Sequence, residues 1–413
     1  MTPLTSIRLA LLATVLMVPT ALAAGSTPPR PYDVEYRAEL LPQRGIAAVR
    51  IVVAQQRGRL ASVELTMPSS RYSHITGDGN VRIDGDHVRW ELPDAGGTLS
   101  FEYKIDHRRS SGAFDARLTP EWAIFRLDDV FPSARTSARK GAASRARLAV
   151  SAPQGWSIET PYGPYEGRPL VVDKRERAFD RPTGWLIAGK IGVRRSEIVR
   201  RHFTIAGPMG QNVRRMDALA LLTWTVPTLV AIFPSCPERV LMVSATGEMW
   251  RGGLSGPGSF YVHASLPLLS ENGTSTILHE LVHVATGLHG ADGGDWIVEG
   301  IAEYYSLEIL RRSDTISQRR FGRAIADLGA WSEAAGKLAT DRSKGPTTAR
   351  AVGVMHDLDL EIRQTTGSRW TLDHVVRDLI DAGKSVTLER LSAAAQARIG
   401  RPSRVLAAIA TSP

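Results

Sequence analysis

Two histidines four residues apart, with a glutamate directly after the first, are the residues whose types and spacing best fit a chemical reaction. They form the run His279-Glu280-Leu281-Val282-His283. On a helix, residues i and i+4 share one face, so both imidazoles can bind one metal ion while the glutamate lies beside it. Zinc suits such a site, because hydrolytic zinc sites combine three protein ligands with a water position and a carboxylate that acts as general base. Histidine is scarce, with 10 among 413 residues, which argues against a chance pattern.

The residues around this motif predict a buried helix. Residues 272–275 read Asn-Gly-Thr-Ser, which are N-cap types, and Gly287 supplies a stop. Apolar residues lie on both sides of the histidine pair, so the imidazoles need partners inside the protein. A metal ion would satisfy both at once; the alternative is a structural helix with two hydrogen-bonded histidines.

A second predicted helix, residues 296–305, offers a third ligand. Glu299 and Glu303 lie four residues apart in an otherwise apolar stretch, where two carboxylates are costly unless a positive charge faces them. We interpret Glu299 as the third zinc ligand and Glu303 as the carboxylate that orients a ligand histidine through its other ring nitrogen. The alternative for Glu303 is a solvated carboxylate.

These segments resemble a known family. The HExxH run, a Trp-x-x-Glu-Gly-x-x-x-Tyr-Tyr segment at residues 296–305, and the stretches at residues 359–367 and 371–373 are together similar to the gluzincin metallopeptidases, most of all the glycyl aminopeptidase family. The resemblance covers roughly residues 210–390. It implies a zinc-dependent peptidase with one Zn²⁺ per chain, a thermolysin-like, mainly helical catalytic domain and a β-rich domain ahead of it.

The chain departs from that family in three ways. Only fifteen residues separate His283 from Glu299, a short connection. Arg350 stands where the family has a tyrosine that stabilises the oxyanion, which leaves Arg350, His356, Tyr305 and Tyr261 as candidate stabilisers.

The third departure concerns substrate recognition. The glycine-rich residues 251–259 lack the glutamate that captures a substrate's free amine in the family. Without it, endopeptidase and aminopeptidase activity are both open. The next residues, 260–263, alternate like an edge strand along which an extended peptide could pair.

Two other functions remain open. His289 stands ten residues after His279, the third-ligand spacing of metzincin peptidases, although their glycine is shifted by one position here. The missing tyrosine and amine anchor also allow a binding protein of gluzincin fold whose catalysis is impaired.

The beginning of the chain predicts export. Arg8 precedes an apolar run at residues 9–18, and Ala21-Leu22-Ala23 reads as a signal-peptide cleavage site. We therefore expect a periplasmic or secreted protein without a transmembrane segment in the mature chain, since the apolar residues 218–233 read better as a buried core helix. Cys236 is the single cysteine, so the chain forms no intramolecular disulfide.

The chain is basic, with a formal net charge of +9. We expect no nucleic-acid partner, because the arginines are spread along the sequence of a chain that is exported; the expected partner is a peptide or protein substrate. Residues 133–147 concentrate arginine and lysine among small residues, which predicts an exposed loop with, as an alternative, weak attraction to an anionic envelope surface.

The sequence predicts an α+β fold. Strand-like alternation dominates the first two hundred residues, including a hairpin around Asp84-Gly85, and helical patterns follow from about residue 211. We divide the chain into a signal peptide (1–23), a β-rich N-terminal domain (24–205) and a gluzincin-like catalytic domain (206–413).

Overall fold

Alternating apolar residues in the first two hundred positions do form strands. The computed structural model describes residues 30–172, 179–340 and 342–410, so the predicted signal segment lies outside the described residues. Up to residue 208 the described part of the chain contains one short α-helix, α1 (Leu127–Val130), a single 3-10 turn (Pro42–Arg44) and eighteen strands. These are β1 (Arg30–Leu41), β2 (Ile46–Ala54), β3 (Leu60–Thr66), β4 (Tyr72–Gly77), β5 (Asn80–Asp84), β6 (His87–Glu91), β7 (Gly96–Lys104), β8 (His107–Arg108), β9 (Phe114–Leu118), β10 (Trp122–Arg126), β11 (Ala134–Ala138), β12 (Ala142–Ser151), β13 (Ser157–Thr160), β14 (Gly163–Pro164), β15 (Leu170–Val171), β16 (Trp185–Gly189), β17 (Ile191–Ile198) and β18 (Arg201–Pro208).

Three sheets share one apolar core in this part of the chain. Their strand orders are β15-β12-β1-β2-β7-β4, β14-β13-β16-β10-β9-β8 and β11-β3-β6-β5. Along β2 the burial alternates residue by residue, as a strand with one solvated face requires. The predicted hairpin is confirmed, because β5 and β6 pair antiparallel with Asp84 opposite His87.

The predicted basic loop at residues 133–147 is wrong. The segment contains β11 and the first part of β12, which pair with β3 and β1. In β12 the burial alternates: Ala146 is buried, whereas Arg145 and Arg147 on either side of it are exposed and point outward.

The remaining chain is mainly helical. Its helices are α2 (Arg215–Ile232), α3 (Thr276–Thr286), α4 (Asp295–Arg312), α5 (Gln318–Ser332), α6 (Pro346–Thr366), α7 (Leu372–Asp381), α8 (Leu388–Ile399) and α9 (Arg404–Ala410). Its strands are β19 (Arg239–Val243), β20 (Gly253–Gly256), β21 (Ser259–Val262), β22 (His289–Gly290) and β23 (Ser385–Val386). The structure is therefore α+β, as predicted.

A five-stranded sheet supports these helices, in the order β17-β18-β19-β21-β20. It unites strands from both sides of residue 206, and the predicted domain boundary falls inside β18. The expectation that residues 260–263 form an edge strand is wrong: β21 lies between β19 and β20, so β20 is the edge. The division into two domains stays a prediction.

Helix α2 is long and apolar enough to cross a membrane by length and composition. Seven of its residues are buried, however, and pack in the core with α3 and α4. The predicted core helix is therefore buried on one face only, since Met216 and Trp224 are exposed on the other.

An ion pair and hydrogen bonds join α4 to α7, and a further hydrogen bond joins α7 to α6. Arg312 bonds to Asp373 at 2.7 Å and to Glu308 at 2.7 Å. The Tyr305 hydroxyl donates to Asp373 at 2.8 Å. Asp359 accepts from the N–H of Leu372 at the start of α7. The two aspartates belong to the downstream segments that resemble the gluzincins, and here their contacts fix the helices behind the site.

Candidate metal centre

Helix α3 carries the histidine pair at the predicted place. It spans Thr276–Thr286, and Gly287 follows as its C-cap: the φ of 61° is the left-handed conformation of a glycine C-cap, and the Gly287 N–H bonds to the His283 carbonyl. Ser275 occupies the N-cap position, but its buried hydroxyl makes no capping bond and has no partner within the described part of the chain. The helix prediction is confirmed, whereas the capping bond is not formed.

Helix α4 brings Glu299 to the two imidazoles. The Nε2 atoms of His279 and His283 are 3.1 Å apart, and the Glu299 carboxylate oxygens lie 3.3 Å from the first and 3.4 Å from the second. Four-coordinate zinc with ligands at about 2.0–2.1 Å separates neighbouring donor atoms by about 3.3–3.4 Å. The three distances are close to this spacing, although the two from Glu299 involve its two different oxygens, so the cluster is of a size that could hold a metal ion such as zinc.

Glu303 fixes the orientation of His279. Its carboxylate lies 2.7 Å from Nδ1 of that ring. When Nδ1 carries the proton and donates it to Glu303, the Nε2 lone pair faces His283 and Glu299. Two imidazole nitrogens and a carboxylate that converge in this way attract a cation. With Glu303 behind His279, the arrangement is the usual one of a carboxylate-histidine-metal site.

The charges of the cluster are perturbed. Burial lowers the pKa of His279, but hydrogen bonds with Glu299 and Glu303 outweigh it, so that its pKa lies well above the ordinary value. Burial and the neighbouring charge of His279 lower the pKa of His283 to about 4. For Glu299, burial raises the pKa but the two histidines lower it further, so the carboxylate stays ionised. A deprotonated His283 and an ionised Glu299 are in the forms that bind metal.

Glu280 points from α3 toward the edge strand β20. Burial raises its pKa to about 7, partly opposed by the charge of His279 and the nearby Ser255 hydroxyl. A methyl group on Gly253 would lie 2.6 Å from Cγ of Glu280 and 2.8 Å from its Cδ, so the glycine makes room for the carboxylate. A carboxyl with a pKa near neutrality can both accept and release a proton.

The four candidate oxyanion stabilisers lie in other environments. The Tyr261 hydroxyl donates to the Trp250 carbonyl, and that of Tyr305 donates to Asp373, both in the core. Arg350 bonds to the Gly336 carbonyl, and His356 packs near the rings of Tyr304 and Phe321. No hydrogen bond or ion pair among the described residues joins any of the four to the histidine cluster.

His289 is not part of the cluster. It lies exposed on β22, which pairs with β23, while the residues grouped within 4.8 Å of one another are His279, His283 and Glu299. The connection from α3 to α4 turns through residues 290–294, where Gly290 and Gly294 lie against backbone atoms that a side chain would strike. This tight turn allows the short spacing between His283 and Glu299.

Sequence reasoning missed the contribution of β20. Gly253 and Ser255 lie next to Glu280, whereas the sequence argument for this segment concerned only the missing amine-binding glutamate. Two adjacent glycines at the start of a strand can indicate close approach of another group, and that signal was present at residues 252–253.

Two solved structures have a fold similar to that of this chain. An aminopeptidase N family protein from Idiomarina loihiensis superposes with a TM-score of 0.62 and 13% identity, over 84% of this chain and 70% of that one. Aminopeptidase A from Legionella pneumophila, solved in complex with aspartic acid, gives a TM-score of 0.59 and 12% identity, over 94% of this chain and 50% of that one. The chain has a gluzincin-like fold.

The gluzincin-like fold extends over most of the chain, although the chain spans only about half the length of the Legionella enzyme. No family model matches the sequence, and no curated protein matches it either. The likeness to these solved structures is thus one of fold.

Proposed function

We propose that this protein is an exported zinc-dependent peptidase. The observation that carries the proposal is the convergence of two Nε2 atoms and a carboxylate at 3.1–3.4 Å, with Glu280 on the same helix. The gluzincin-like fold supports it, since the similar structures belong to aminopeptidases. His279, His283 and Glu299 would hold one zinc ion per chain.

Zinc would supply Lewis acidity, which activates water and polarises a peptide carbonyl. The protein's own residues do the rest. Glu280, with a pKa raised to about 7, accepts a proton from the attacking water and can pass it to the leaving amine. Glu303 keeps Nδ1 of His279 protonated and its ring fixed. Among the described strands, none pairs with the outer edge of β20, where an extended peptide can add its backbone beside Glu280.

Aminopeptidase and endopeptidase activity both remain compatible with this site. Trp250 and Arg251 precede β20, and Arg251 is exposed and cationic, so this position cannot pair with a substrate ammonium group. The proposed substrate is a peptide or protein in the periplasm or outside the cell, which follows from the signal segment expected at residues 1–23.

The test combines zinc analysis with peptide cleavage. We expect one zinc per chain in the wild type, loss of zinc in Glu299→Ala, and retention in His289→Ala, which serves as the matched control. Glu280→Gln should retain zinc and lose cleavage by at least about 100-fold, the usual contribution of a general base. A wild-type chain that takes up no zinc when the ion is offered would refute the proposal.

A binding protein of the same fold is the second candidate. It is favoured by the hydroxyls of Tyr261 and Tyr305, which are engaged in the core rather than directed to the cluster. A zinc-loaded wild type that binds members of a broad peptide library without cleaving them would establish this second function instead.

A further inference from the structure

The outward face of α2 is apolar, although the opposite face already belongs to the core. Met216 is 57% exposed and Trp224 is 62% exposed. Ala220, Pro227 and Ala231 continue the same stripe at helical spacing and are also exposed. The stripe runs for about 22 Å along the helix, at 1.5 Å per residue.

The polar groups on this face are satisfied within the protein. The Thr223 hydroxyl donates to the Leu219 carbonyl at 2.8 Å, and the Trp224 indole N–H donates to the Ser313 carbonyl at 2.6 Å. The surface that remains offers apolar atoms to its surroundings. An exposed apolar stripe of this length, anchored by an aromatic ring, is typical of an interaction surface.

Three arginines cluster at the first turn of α2. Nε of Arg194, on β17, lies 3.3 Å from the Met216 sulfur. The Arg215 guanidinium lies against Gly192, with Cζ at 2.6 Å from the position a methyl group would take there. Arg214 is exposed and bonds to the Leu266 carbonyl.

None of these three arginines forms an ion pair with a described carboxylate, and Asp217 is the one acidic residue in the first turn of α2. Burial and the nearby charge of Arg194 both lower the pKa of Arg215, because each disfavours a second positive charge at this end of α2. Met209, 67% exposed, lines the same surface. An anionic, partly apolar partner would stabilise such a surface, because its charges pair with the guanidinium groups and its apolar part covers the neighbouring side chains.

We propose that this surface, which we call the α2 face, docks on a lipid bilayer that contains anionic phospholipids. The α2 face consists of Met209, Met216, Ala220, Trp224, Pro227 and Ala231, with Arg194, Arg214 and Arg215 at one end. The apolar stripe enters the acyl boundary, Trp224 lies at the interface, and the guanidinium groups bind lipid phosphates. The helix lies parallel to the membrane plane, because its other face is buried in the protein.

A second copy of the chain fits the α2 face less well. A two-fold dimer brings the same patch against itself, and this patch holds three arginines and one aspartate. Such a contact would oppose like charges, whereas a bilayer with phosphate headgroups complements them. The proposal is independent of peptidase activity, since no residue of the α2 face belongs to the metal centre.

The experiment is flotation of the full chain with phosphatidylcholine vesicles that contain or lack phosphatidylglycerol. We expect binding to the anionic vesicles alone and weaker binding as salt rises. The double variant Arg194→Gln, Arg214→Gln should bind about 5-fold more weakly for each arginine removed. The double variant Met216→Ser, Trp224→Ser should bind about 10-fold more weakly.

Matched variants change the same chemistry elsewhere. Arg82→Gln with Arg323→Gln removes two exposed arginines, and Trp331→Ser removes another exposed indole; both should bind like the wild type. All variants share residues 1–23, so that segment contributes equally to each. Glu280→Gln should also bind normally, which separates this proposal from the proposed function.

A site-specific probe gives a second readout. An environment-sensitive fluorophore on Ala220→Cys, with Cys236→Ser to leave one thiol, should shift to the blue on anionic vesicles, whereas the same label on the exposed Ser73→Cys should not. An unshifted label on Ala220→Cys would overturn the proposal. So would a lipid-free dimer, measured by sedimentation, that the Met216→Ser, Trp224→Ser variant dissociates, because the occupant would then be a second copy.

Discussion

Replacing Gly253 with alanine should disable the site without removing its metal. The added methyl group would lie 2.6 Å from Cγ and 2.8 Å from Cδ of Glu280, whereas carbon atoms in contact are about 3.5–4.0 Å apart. The carboxylate or β20 must therefore move by about 1 Å, a displacement that costs on the order of 100-fold in rate when it affects a catalytic group. The backbone does not oppose the change, since Gly253 is not among the residues with positive φ.

Gly256→Ala is the control in the same strand. Its methyl group would find its nearest neighbours, Gly184 Cα and Trp185 Cδ1, at 3.5 Å, an ordinary contact. The measurements are kcat/KM on a cleaved peptide, zinc content and thermal unfolding. We expect Gly253→Ala to keep its zinc, lose about 100-fold in kcat/KM and lose about 1–3 kcal/mol of stability to overpacking. Full activity in Gly253→Ala, or an equal loss in Gly256→Ala, would refute this reasoning.

Three further predictions concern the surroundings of the site. Glu303→Gln should weaken zinc binding by about 10- to 100-fold in a competition titration, because His279 loses the carboxylate that orients it. Asp373→Asn should lower the free energy of unfolding by about 1.5–3 kcal/mol in urea, since it removes one of the two carboxylates that pair with Arg312 and leaves Glu308 in place. Burial raises the pKa of Glu361, but hydrogen bonds at the start of α9 outweigh it and lower the pKa to about 2. Its contribution, about 2 kcal/mol, is present above pH 4.5 and is lost as pH falls toward 2, so Glu361→Gln should destabilise the protein at pH 7 and much less at pH 2.

The metal cluster was the part of the molecule most open to sequence reasoning. Its candidate ligands lie on two helices, and spacing within a helix fixes which side chains share a face. His279 and His283 are four residues apart, as are Glu299 and Glu303, so only the packing of α3 against α4 remained to be supplied by the structure. That packing brings the two pairs together.

Contacts between strands that are distant in sequence could not be predicted from local spacing. Small residues obscured the alternation in residues 133–147, so the outward-facing arginines of two strands suggested a loop. The order of β20 and β21 depends on pairing across the sheet, which no local pattern specifies. For the same reason, the contact of Gly253 with Glu280 became visible only in the folded chain.

The five-stranded sheet limits how this protein can be divided. Strand β18 contains residue 206 and pairs with β17 on one side and β19 on the other. A fragment of the protein that began after β18 would leave the backbone N–H and C=O groups on one side of β19 unpaired. Such an exposed edge can pair with other chains and cause aggregation. A recombination event that exchanges the helical half should therefore succeed when its crossover lies ahead of β17, so that the hairpin β17-β18 is inherited with the helices.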